Sequence, residues 1–400
     1  MIPAGWQVAT VSDICKLQNG HGFRPPDWSE SGYPIIRIQN LNGSQNFNYF
    51  AGMPEQKWLV PPGQILFAWA GTKGASFGPT IWNGPTGVLN QHIFKVFPAK
   101  GVDKDWLYVA LRHVTDRIEA KAHGFKATLV HVKKSDIDQH SVLLPPMCEQ
   151  RYIANTLATW DRAIETVEAL IANARAQKQA LMQQLLSGHR RLPGFSEPWE
   201  WADFADIFGR VRTKNAEGNT NVLTISAQHG LISQVEYFNK SVASDDVRGY
   251  SLLQRGDFAY NKSYSDGYPM GAIKPLDRYD SGIVSSLYIC FRLTRRGFDH
   301  DFFRHYFEAG LFNREIAAIA QEGARNHGLL NVSVVEFFET SLHIPQPGEQ
   351  AAIAKVINAA EAEEQAHQAQ LTALRQEKAA LMQQLLTGKR RVKLPESEVA

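Results

Sequence analysis

The sequence predicts an α+β protein built by internal duplication, with two similar mixed α/β domains that are each followed by one long helix. The first observation is a pair of near-identical segments at 181–191 and 381–391, which share LMQQLL, a glycine and an arginine pair. The second is that the copies extend upstream, where Glu149-Gln150 matches Glu349-Gln350. The third is a heptad pattern along both segments, which indicates paired helices.

Both repeated segments are predicted to be long helices, because apolar residues recur at the a and d positions of a heptad. Prolines at 145–146 and at 347 suit helix starts, and Gly188 and Gly388 suit helix ends. A helix covering 149–187 would be roughly 58 Å long at 1.5 Å per residue. The residues expected to pair the helices are Ile153, Leu157, Ile164, Ile171, Leu181, Leu185, Ile353, Ile357, Leu371, Leu374, Leu381 and Leu385.

Two polar residues, Glu364 and His367, interrupt the seam of the second helix. Polar residues at such positions can fix the register of a helix pair at some cost in stability. A metal-ligand role for His367 is the less favoured interpretation, because no second ligand lies four residues further on. The near-identical helix ends favour a duplicated pair that packs together over two unrelated surface helices.

The composition excludes several classes of protein. With 44% hydrophobic and 20% charged residues over 400 positions, it is typical of a globular protein of two or three domains. No apolar run approaches the roughly eighteen residues that cross a membrane, and residues 1–6 lack a secretory signal pattern. Three scattered cysteines without a CxxC pair indicate a reduced, cytoplasmic protein without a structural zinc site.

The charge is unevenly distributed between the two predicted domains. Residues 1–145 contain 14 Lys and Arg against 10 Asp and Glu, whereas residues 192–345 contain 15 against 19. Neither segment has the strong basic excess of a nonspecific nucleic-acid binder. A nucleic-acid contact in the second segment would therefore depend on a local group of cations.

The first domain is predicted to mix strands with one substantial helix. Alternating residues predict strands that include 33–38 and 88–97, with His92 inside the second of these. Helical spacing predicts a helix at 105–121.

The second domain repeats this order, with a helical stretch at 301–318. The offset between the halves drifts within the domains, as loop insertions in a duplicated domain would produce. The predicted organisation is a first domain at 1–145, a central helix at 146–191, a second domain at 192–345, a C-terminal helix at 346–391 and a tail at 392–400.

Polar and basic residues in the loops are candidate contacts to DNA phosphates or base edges. The glycine-rich loop 71–78 matches neither GxxxxGK[ST] nor GxGxxG, so a nucleotide site there is disfavoured. Arg and Asn in the loop before the last strand of the second domain are usual readers of base edges. The candidates are Arg24, Thr72, Lys73, Ser76, Lys126, Arg210, Arg212, Lys214, Lys262, Tyr264, Arg325 and Asn326.

Each of these loops also has an interpretation that involves no contact with DNA. Ordinary turn chemistry explains the glycine and asparagine residues equally well. The segments 19–21 and 90–92 could also contribute contacts, although a strand histidine such as His92 is more often structural. The basic residues after each long helix, at 190–191 and 389–391, favour solvated helix ends over phosphate contacts.

A search for catalytic motifs finds none. The segment 144–147, Leu-Pro-Pro-Met, lacks the polar residue of the Asn-Pro-Pro-Tyr-like motif in amino-methyltransferases. Walker, GxSxG and HExxH patterns are also missing from the sequence. We therefore expect neither a catalytic residue nor a metal site in this chain.

The whole architecture resembles the DNA-specificity subunit of type I restriction–modification systems. The resemblance is carried by the segment 144–150, Leu-Pro-Pro-Met-Cys-Glu-Gln, with Ile153-Ala154, and by the second copy with Glu349-Gln350 and Ile353-Ala354. Both LMQQLL helix ends complete it. Each motif alone is weak, but the duplicated set at matching places is specific.

The resemblance implies that each domain is a target-recognition domain that reads one half of a bipartite DNA sequence in the major groove. It implies an antiparallel helix pair with pseudo-two-fold symmetry, which fixes the spacing of the half-sites and docks two modification (methyltransferase) subunits. S-adenosylmethionine, ATP and Mg²⁺ would bind to partner subunits, including an ATP-dependent restriction subunit, and this chain would bind no cofactor. It would be a recognition subunit rather than an enzyme.

Two other functions stay open on the sequence alone. The chain could be a non-enzymatic coiled-coil scaffold whose globular domains bind proteins, or an enzyme with an unrecognised site. Substitution of Lys73, Lys262 or Arg325 should separate DNA recognition from the scaffold function, because only a DNA reader would lose target specificity.

Overall fold

In a computed structural model, the chain forms two compact units. Unit 1 comprises residues 1–168 and 369–400, and unit 2 comprises residues 169–368. Each unit therefore contains one globular domain and one half of each long helix. The structure describes residues 2–121, 129–216, 218–226, 229–240, 246–263, 265, 267–322 and 330–394.

Unit 1 begins with a domain of short strands and one substantial helix. Its strands are β1 (Gln7–Thr10), β2 (Cys15–Asn19), β3 (Tyr33–Ile36), β4 (Tyr49–Phe50), β5 (Leu59–Val60), β6 (Gln64–Ala68), β7 (Ala70–Thr72), β8 (Gly78–Trp82), β9 (Gly87–Leu89), β10 (Ile93–Pro98), β11 (Leu129–His131) and β12 (Ser141–Leu144). Its helices are α1 (Val11–Ile14), α2 (Ile38–Leu41), α3 (Lys104–Lys121) and α4 (Lys134–Asp138), followed by the first long helix, α5 (Met147–Leu185).

Two four-stranded sheets form the framework of this domain. One has the order β2-β10-β6-β8, and its strands are antiparallel; the other has the order β4-β3-β9-β5, with β3 and β9 parallel. The pairs β1–β12 and β7–β11 add to them. The fully buried Trp106 of α3 belongs to the largest core cluster of the unit.

The predicted strand at 88–97 is wrong in one respect, because it is two strands. β9 belongs to the second sheet and β10 to the first, so residues 90–92 carry the chain from one sheet to the other. His92 consequently lies between strands. The strand predicted at 33–38 ends at Ile36, because α2 begins at Ile38.

Unit 2 contains the second domain. Its strands are β13 (Glu200–Asp203), β14 (Phe208–Arg210), β15 (Leu223–Ser226), β16 (Gly230–Ser233), β17 (Ser251–Gln254), β18 (Phe258–Asn261), β19 (Ala272–Pro275), β20 (Ser281–Val284), β21 (Ile289–Leu293), β22 (Gln321–Glu322), β23 (Leu330–Asn331) and β24 (Ser341–Ile344). Its helices are α6 (Phe204–Ile207), α7 (Gln234–Phe238), α8 (His300–Glu308), α9 (Asn313–Ile319) and α10 (Val334–Phe338), followed by the second long helix, α11 (Pro347–Leu386).

The second domain uses the same framework as the first. Its four-stranded sheet β14-β21-β18-β19 matches β2-β10-β6-β8, and the pair β13–β24 matches β1–β12. The helical stretch predicted at 301–318 is two helices, because Gly310 ends the first one in a left-handed conformation with φ of +70°. Buried phenylalanines, including Phe204 and Phe291, fill the core. The α+β class and the two similar domains predicted from the sequence are thus confirmed.

The long helices pair antiparallel within each unit. In unit 1, Glu168 of α5 accepts from Arg375 of α11 at 2.6 Å, and Asp161 pairs with Lys378 further along. In unit 2, Glu364 lies 2.6 Å from Lys178. Partner numbers fall on one helix as they rise on the other, as the antiparallel arrangement requires.

The twelve residues predicted to pair the helices are all buried or half-buried. The residues near the helix ends also pack into the cores of the domains. Ile153, Leu157 and Leu385 belong to the core cluster of unit 1, and Leu185, Ile353 and Ile357 belong to that of unit 2. Leu381 packs against the first cluster and Leu181 against the second. The ends of the helices are therefore integral parts of the domains, whereas Ile164, Ile171, Leu371 and Leu374 are buried or half-buried between those ends.

The glutamate in the repeated Glu-Gln pair is the centre of a buried clamp. In unit 1, Glu149 accepts hydrogen bonds from the Trp6 indole at 3.1 Å and from the Arg391 guanidinium, which follows α11. In unit 2, Glu349 accepts from Trp199 at 3.2 Å and from two Arg191 nitrogens at 2.6 and 2.7 Å.

Each clamp joins the start of one long helix to the end of the other, and both to the opening of the domain. The carboxylates raise the pKa of Arg191 and Arg391 by hydrogen bonding, although burial opposes this. The second arginine of each repeated pair is therefore structural, rather than the solvated residue favoured from the sequence.

The polar interruption at Glu364 is also explained by ion pairing. Arg175 donates to this carboxylate at 2.9 Å, and Lys178 lies 2.6 Å away. Burial tends to raise the pKa of Glu364, but the hydrogen bonds and charges of these two cations lower it overall.

Within the ranges described above, no helix is long and apolar enough to cross a membrane.

Candidate nucleic-acid interface

Several loops of unit 1 meet at one end of the sheet β2-β10-β6-β8. β2 ends at Asn19, and the next residue, Gly20, donates its backbone N–H to the Ile93 carbonyl at 3.1 Å. A Cβ on Gly20 would lie 2.1 Å from the Asn90 carbonyl oxygen, so only glycine allows this approach. The segments 19–21 and 90–92 are thereby held side by side.

Aromatic and histidine side chains gather at the same end of the sheet. The Trp69 ring lies 5.0 Å from the His92 ring and 4.9 Å from the His131 ring, and its Nε1 donates to the Gln91 carbonyl at 3.2 Å. Trp69 and His131 were not among the predicted contacts, whereas Gln91 and His92 lie in the segment 90–92 that the sequence offered as a possible contributor. The signal in the sequence is an aromatic residue directly after β6, Trp69, and a histidine directly before β10, His92.

The glycine-rich loop 71–78 is a fixed turn. The Ser76 hydroxyl accepts from the Thr72 backbone N–H at 2.7 Å, and Ser76 is buried. The Lys73 ammonium donates to the Glu119 carbonyl of α3 at 3.0 Å, and the Glu119 carboxylate accepts from Gly74 N–H at 2.9 Å. Of the three predicted contacts here, Thr72 and Lys73 are exposed, and Ser76 holds the loop.

Arg24 lies on the loop that follows the segment 19–21. Its side chain is exposed and has no hydrogen-bond or ion-pair partner in the part of the chain that is described. Its backbone N–H donates to the Asp27 carboxylate at 2.8 Å, which fixes the turn at this point. The guanidinium is therefore available to an anionic ligand.

Unit 2 presents cations at the matching end of its main sheet. Arg210 pairs with Phe291 across β14 and β21, and Val211 N–H donates to the Cys290 carbonyl at 2.9 Å. Continued by two residues, this register places Arg212 level with Ile289, where β21 begins. Arg210 and Arg212 are exposed, and neither has a side-chain partner among the residues described in unit 2.

The two predicted lysines of unit 2 are used within the fold. Lys262, directly after β18, donates its ammonium to the Val332 carbonyl at 2.7 Å, and burial lowers its pKa. Lys214 donates to the Gly249 carbonyl at 2.9 Å. To contact a DNA phosphate, each lysine would have to break its hydrogen bond to a backbone carbonyl.

An asparagine network holds the loop that bears Arg212 and Lys214. Asn215 is fully buried, its Nδ2 donates to the Asn219 carbonyl at 2.9 Å, and its Oδ1 accepts from Asn219 N–H at 2.7 Å. The Asn219 amide then donates to the Ser281 hydroxyl at 3.0 Å. Sequence reasoning missed this network, because its link to Ser281 spans 62 residues of the chain.

The remaining predicted contacts, Lys126, Tyr264, Arg325 and Asn326, lie outside the described residues. The segments on either side are nevertheless informative. Leu129 pairs with Thr72 across β11 and β7, and Leu330 N–H donates to the Lys262 carbonyl at 3.0 Å. Leu129 and Leu330, where the described chain resumes, therefore lie beside the candidate residues Thr72 and Lys262.

The exposed side chains at these sheet ends suit the binding of an anionic ligand. Exposed arginines offer several donors in a fixed fork, which matches phosphate oxygens and the guanine edge. Within the described ranges, no group of three or more His, Cys, Asp or Glu residues is placed to hold a metal ion.

The comparisons with known proteins agree with this architecture. Residues 3–174 match the family described as the type I restriction modification DNA specificity domain. The specificity subunit of the type I restriction enzyme EcoBI from Escherichia coli is 26% identical over 168 residues, which are 41% of this chain. The match spans only about a third of that relative, or 34% of its length.

Two solved structures share the fold over nearly the whole chain. The S subunit of a type I restriction–modification system from M. genitalium has a TM-score of 0.54 at 16% identity, with 98% of this chain and 97% of that chain covered. A chain from a structure on complex assembly and conformational transition of the type I R-M system has a TM-score of 0.60 at 13% identity, with 98% and 100% covered. The family match thus covers residues 3–174, and the similarity of fold to the two solved structures extends over nearly the whole chain.

Proposed function

We propose that this chain is the sequence-specific DNA-binding subunit of a type I restriction–modification complex. Each domain would read one half of a bipartite DNA target in the major groove, and the paired helices would set the gap between the halves. The observation that carries the proposal is the pair of matching sheet ends, which present different exposed side chains on one repeated framework.

The difference between the two sheet ends supports an asymmetric target. Unit 1 presents Arg24 and Thr72 beside a tryptophan–histidine cluster, whereas unit 2 presents Arg210 and Arg212. Base edges in the major groove differ in their donors and acceptors, so different side chains select different bases. Residues 192–345 carry more acidic than basic residues, so DNA binding there would need a local group of cations. Arg210 and Arg212 supply such a group.

The proposal includes partners and a place in the cell. Two modification subunits would dock on the long helices and supply methyl transfer with S-adenosylmethionine, and a restriction subunit would use ATP and Mg²⁺. This chain would bind double-stranded DNA and no cofactor, as a recognition subunit rather than an enzyme. We assign the complex to the cytoplasm, on the DNA that it would protect.

The test is selection from a randomised duplex pool by this chain with its modification subunit, followed by sequencing of the bound DNA. Enrichment of two short motifs with a fixed gap is expected. Binding without enrichment of any sequence would contradict DNA specificity. A complex with the partner that retains no DNA would favour the alternative, a coiled-coil scaffold whose domains bind proteins.

A further inference from the structure

Three segments of the first domain run side by side at the candidate interface of unit 1. The His21 backbone N–H donates to the Leu89 carbonyl at 2.8 Å, and His21 forms a parallel bridge with Asn90. The Asn90 N–H in turn donates to the Ile36 carbonyl at 3.0 Å, and β3 runs parallel to β9. Arg37 directly follows Ile36. It therefore leaves its strand in one row with His21 and Asn90, although sequence reasoning did not select it as a DNA contact.

Arg37 is held by a tryptophan that belongs to another loop. Its guanidinium carbon, Cζ, lies 4.3 Å from the centre of the Trp28 ring, which is a cation–π contact. Trp28 is 37% exposed, and its backbone N–H donates to the Pro25 carbonyl at 3.1 Å, which closes a short turn. The Arg37 backbone N–H donates to the side-chain oxygen of Asn40 at 3.0 Å. Both the backbone and the guanidinium of Arg37 are therefore fixed in place.

The guanidinium of Arg37 has unused hydrogen-bond donors. The side chain is half-buried, and its Nε is buried without a hydrogen-bond partner among the residues described in unit 1. The two terminal nitrogens, Nη1 and Nη2, are not buried and also lack a protein partner in that part of the chain. Lys95 of the same domain is different, because its ammonium donates to the Leu59 carbonyl at 3.0 Å. A ligand of Arg37 would therefore meet Nη1 and Nη2, which can donate two parallel hydrogen bonds.

A fixed pair of parallel donors selects guanine among the four bases. In the major groove, guanine presents two neighbouring acceptors, N7 and O6, whereas adenine presents the N7 acceptor beside the N6 donor. Cytosine presents a donor, and thymine presents one acceptor beside a methyl group. A phosphate can also accept two parallel hydrogen bonds. The stacking and partial burial of Arg37 favour a base edge over a phosphate, because base readout requires a donor pair in one fixed orientation.

We propose that Arg37 determines one base of the target of unit 1, by donating hydrogen bonds from Nη1 and Nη2 to N7 and O6 of a guanine. Trp28 is its positioning residue, because the ring holds the guanidinium in one orientation. This inference rests on the proposed function, and it names one base pair within the proposed bipartite target.

The test measures the affinity of the full chain, in complex with its modification subunit, for the duplex selected from the randomised pool. Each guanine of that duplex is replaced in turn by 7-deazaguanine, which lacks the N7 acceptor. The wild-type complex should lose affinity by about fivefold or more at one guanine in one half of the target. Arg37→Ala should bind the duplexes with and without this replacement equally. If no guanine shows an effect that depends on Arg37, the proposal is overturned.

Arg24→Ala is the matched control, since Arg24 is exposed and lies on the same loop as Trp28. Loss of a phosphate contact should weaken binding to every duplex by the same factor and lower the slope of log affinity against log salt concentration by about 0.9. If Arg37→Ala behaves in this way, Arg37 binds a phosphate and the proposal is overturned. Arg37→Met keeps an unbranched stem over the Trp28 ring, so it replaces Arg37→Ala if that variant does not fold.

Two substitutions of Trp28 test its positioning role. Trp28→Phe retains an aromatic face for the guanidinium and should retain the effect of 7-deazaguanine, whereas Trp28→Ala should reduce that effect at the same guanine only. Unchanged sensitivity in Trp28→Ala overturns the positioning role. A pool from which the wild-type complex selects no motif contradicts the proposed function itself. A defined motif whose guanines are all insensitive to Arg37 contradicts only the assignment of Arg37.

Discussion

Glu349 shows at the scale of a residue why the repeated Glu-Gln pair is present. Its carboxylate is 2% exposed and accepts hydrogen bonds from Arg191 and Trp199. Glu349→Gln keeps the shape of the side chain but removes the buried charge that pairs with the half-buried Arg191. We expect a loss of about 2–3 kcal/mol in the free energy of unfolding, measured by urea denaturation.

The control for this change is Glu363→Gln, on an exposed face of the same helix. Its effect should stay within about 0.5 kcal/mol, as for most surface substitutions. Equal stability of Glu349→Gln and Glu363→Gln would show that the clamp contributes nothing to folding.

Arg212 is the residue whose substitution tests DNA contact most directly. It is exposed at the end of the main sheet of unit 2 and has no side-chain partner in the described part of that unit. Arg212→Ala should weaken binding to the selected target by about tenfold, or ~1.4 kcal/mol, without changing the unfolding free energy. Electrophoretic mobility shift at fixed salt measures the affinity.

Arg296→Ala provides the matched control, since Arg296 is also exposed but follows the opposite end of β21. Its substitution should leave affinity unchanged. If both variants lose affinity equally, the effect is one of general charge, and the sheet end has no special role.

The sequence could nominate cations, but it could not reveal which of them the fold already uses. Lys73 and Lys262 have the composition and position of loop contacts, yet each donates to a backbone carbonyl of another element. Those carbonyls lie 46 and 70 residues away in the chain. Partners at such separations are set by the tertiary fold, which local patterns do not encode.

At the scale of the element, Leu371 tests whether the two long helices depend on their seam. It is 5% exposed and lies in the middle of α11, away from the core clusters at the helix ends. Leu371→Asp places an unpaired carboxylate in an apolar seam, which should cost about 3 kcal/mol or more. We expect lower helix stability by circular dichroism and loss of the complex with the modification subunit by size-exclusion chromatography.

Gln370→Asp adds the same charge one residue away, on the exposed side of α11, and should preserve both properties. An intact complex with Leu371→Asp would count against this face as the seam. Leu157→Asp is a less specific test of the same seam, because Leu157 also belongs to the core of unit 1.

The elements differ in how well the sequence predicts them. The two long helices were predictable because a heptad pattern repeats along each and both are punctuated by proline and glycine. The strands at 87–98 were harder, since only the three polar residues Asn90, Gln91 and His92 separate β9 of one sheet from β10 of another. A connection this short is easily taken as part of one continuous strand, so only the pairing partners reveal the change of sheet.

At the scale of the whole molecule, duplication supplies the scaffold and divergence supplies two different surfaces. The clamps at Glu149 and Glu349 are the same, with a tryptophan and an arginine at each. The loops that end the main sheets share almost no side chains. A chain of this kind can keep its helix pair constant while each domain changes what it reads.

The helix pair should then set the spacing between the two halves of the proposed target. Seven residues inserted after Glu168 in α5 and after Gln368 in α11 keep both heptad registers in phase and add about 10.5 Å of helix. The gap between the two selected motifs should lengthen, by at most about three base pairs at 3.4 Å each, while the motifs themselves stay the same. Selection from the randomised pool measures both quantities at once.

An insertion in α5 alone is the control, because it lengthens only one helix, so the ion pairs of Asp161 and Glu168 in unit 1 and that of Glu364 in unit 2 can no longer all form along two continuous helices. That variant should lose stability and select no fixed gap. If the double insertion folds, binds both motifs and keeps the original gap, the helices do not set the spacing. The spacing would then have to come from the subunits that dock on the chain.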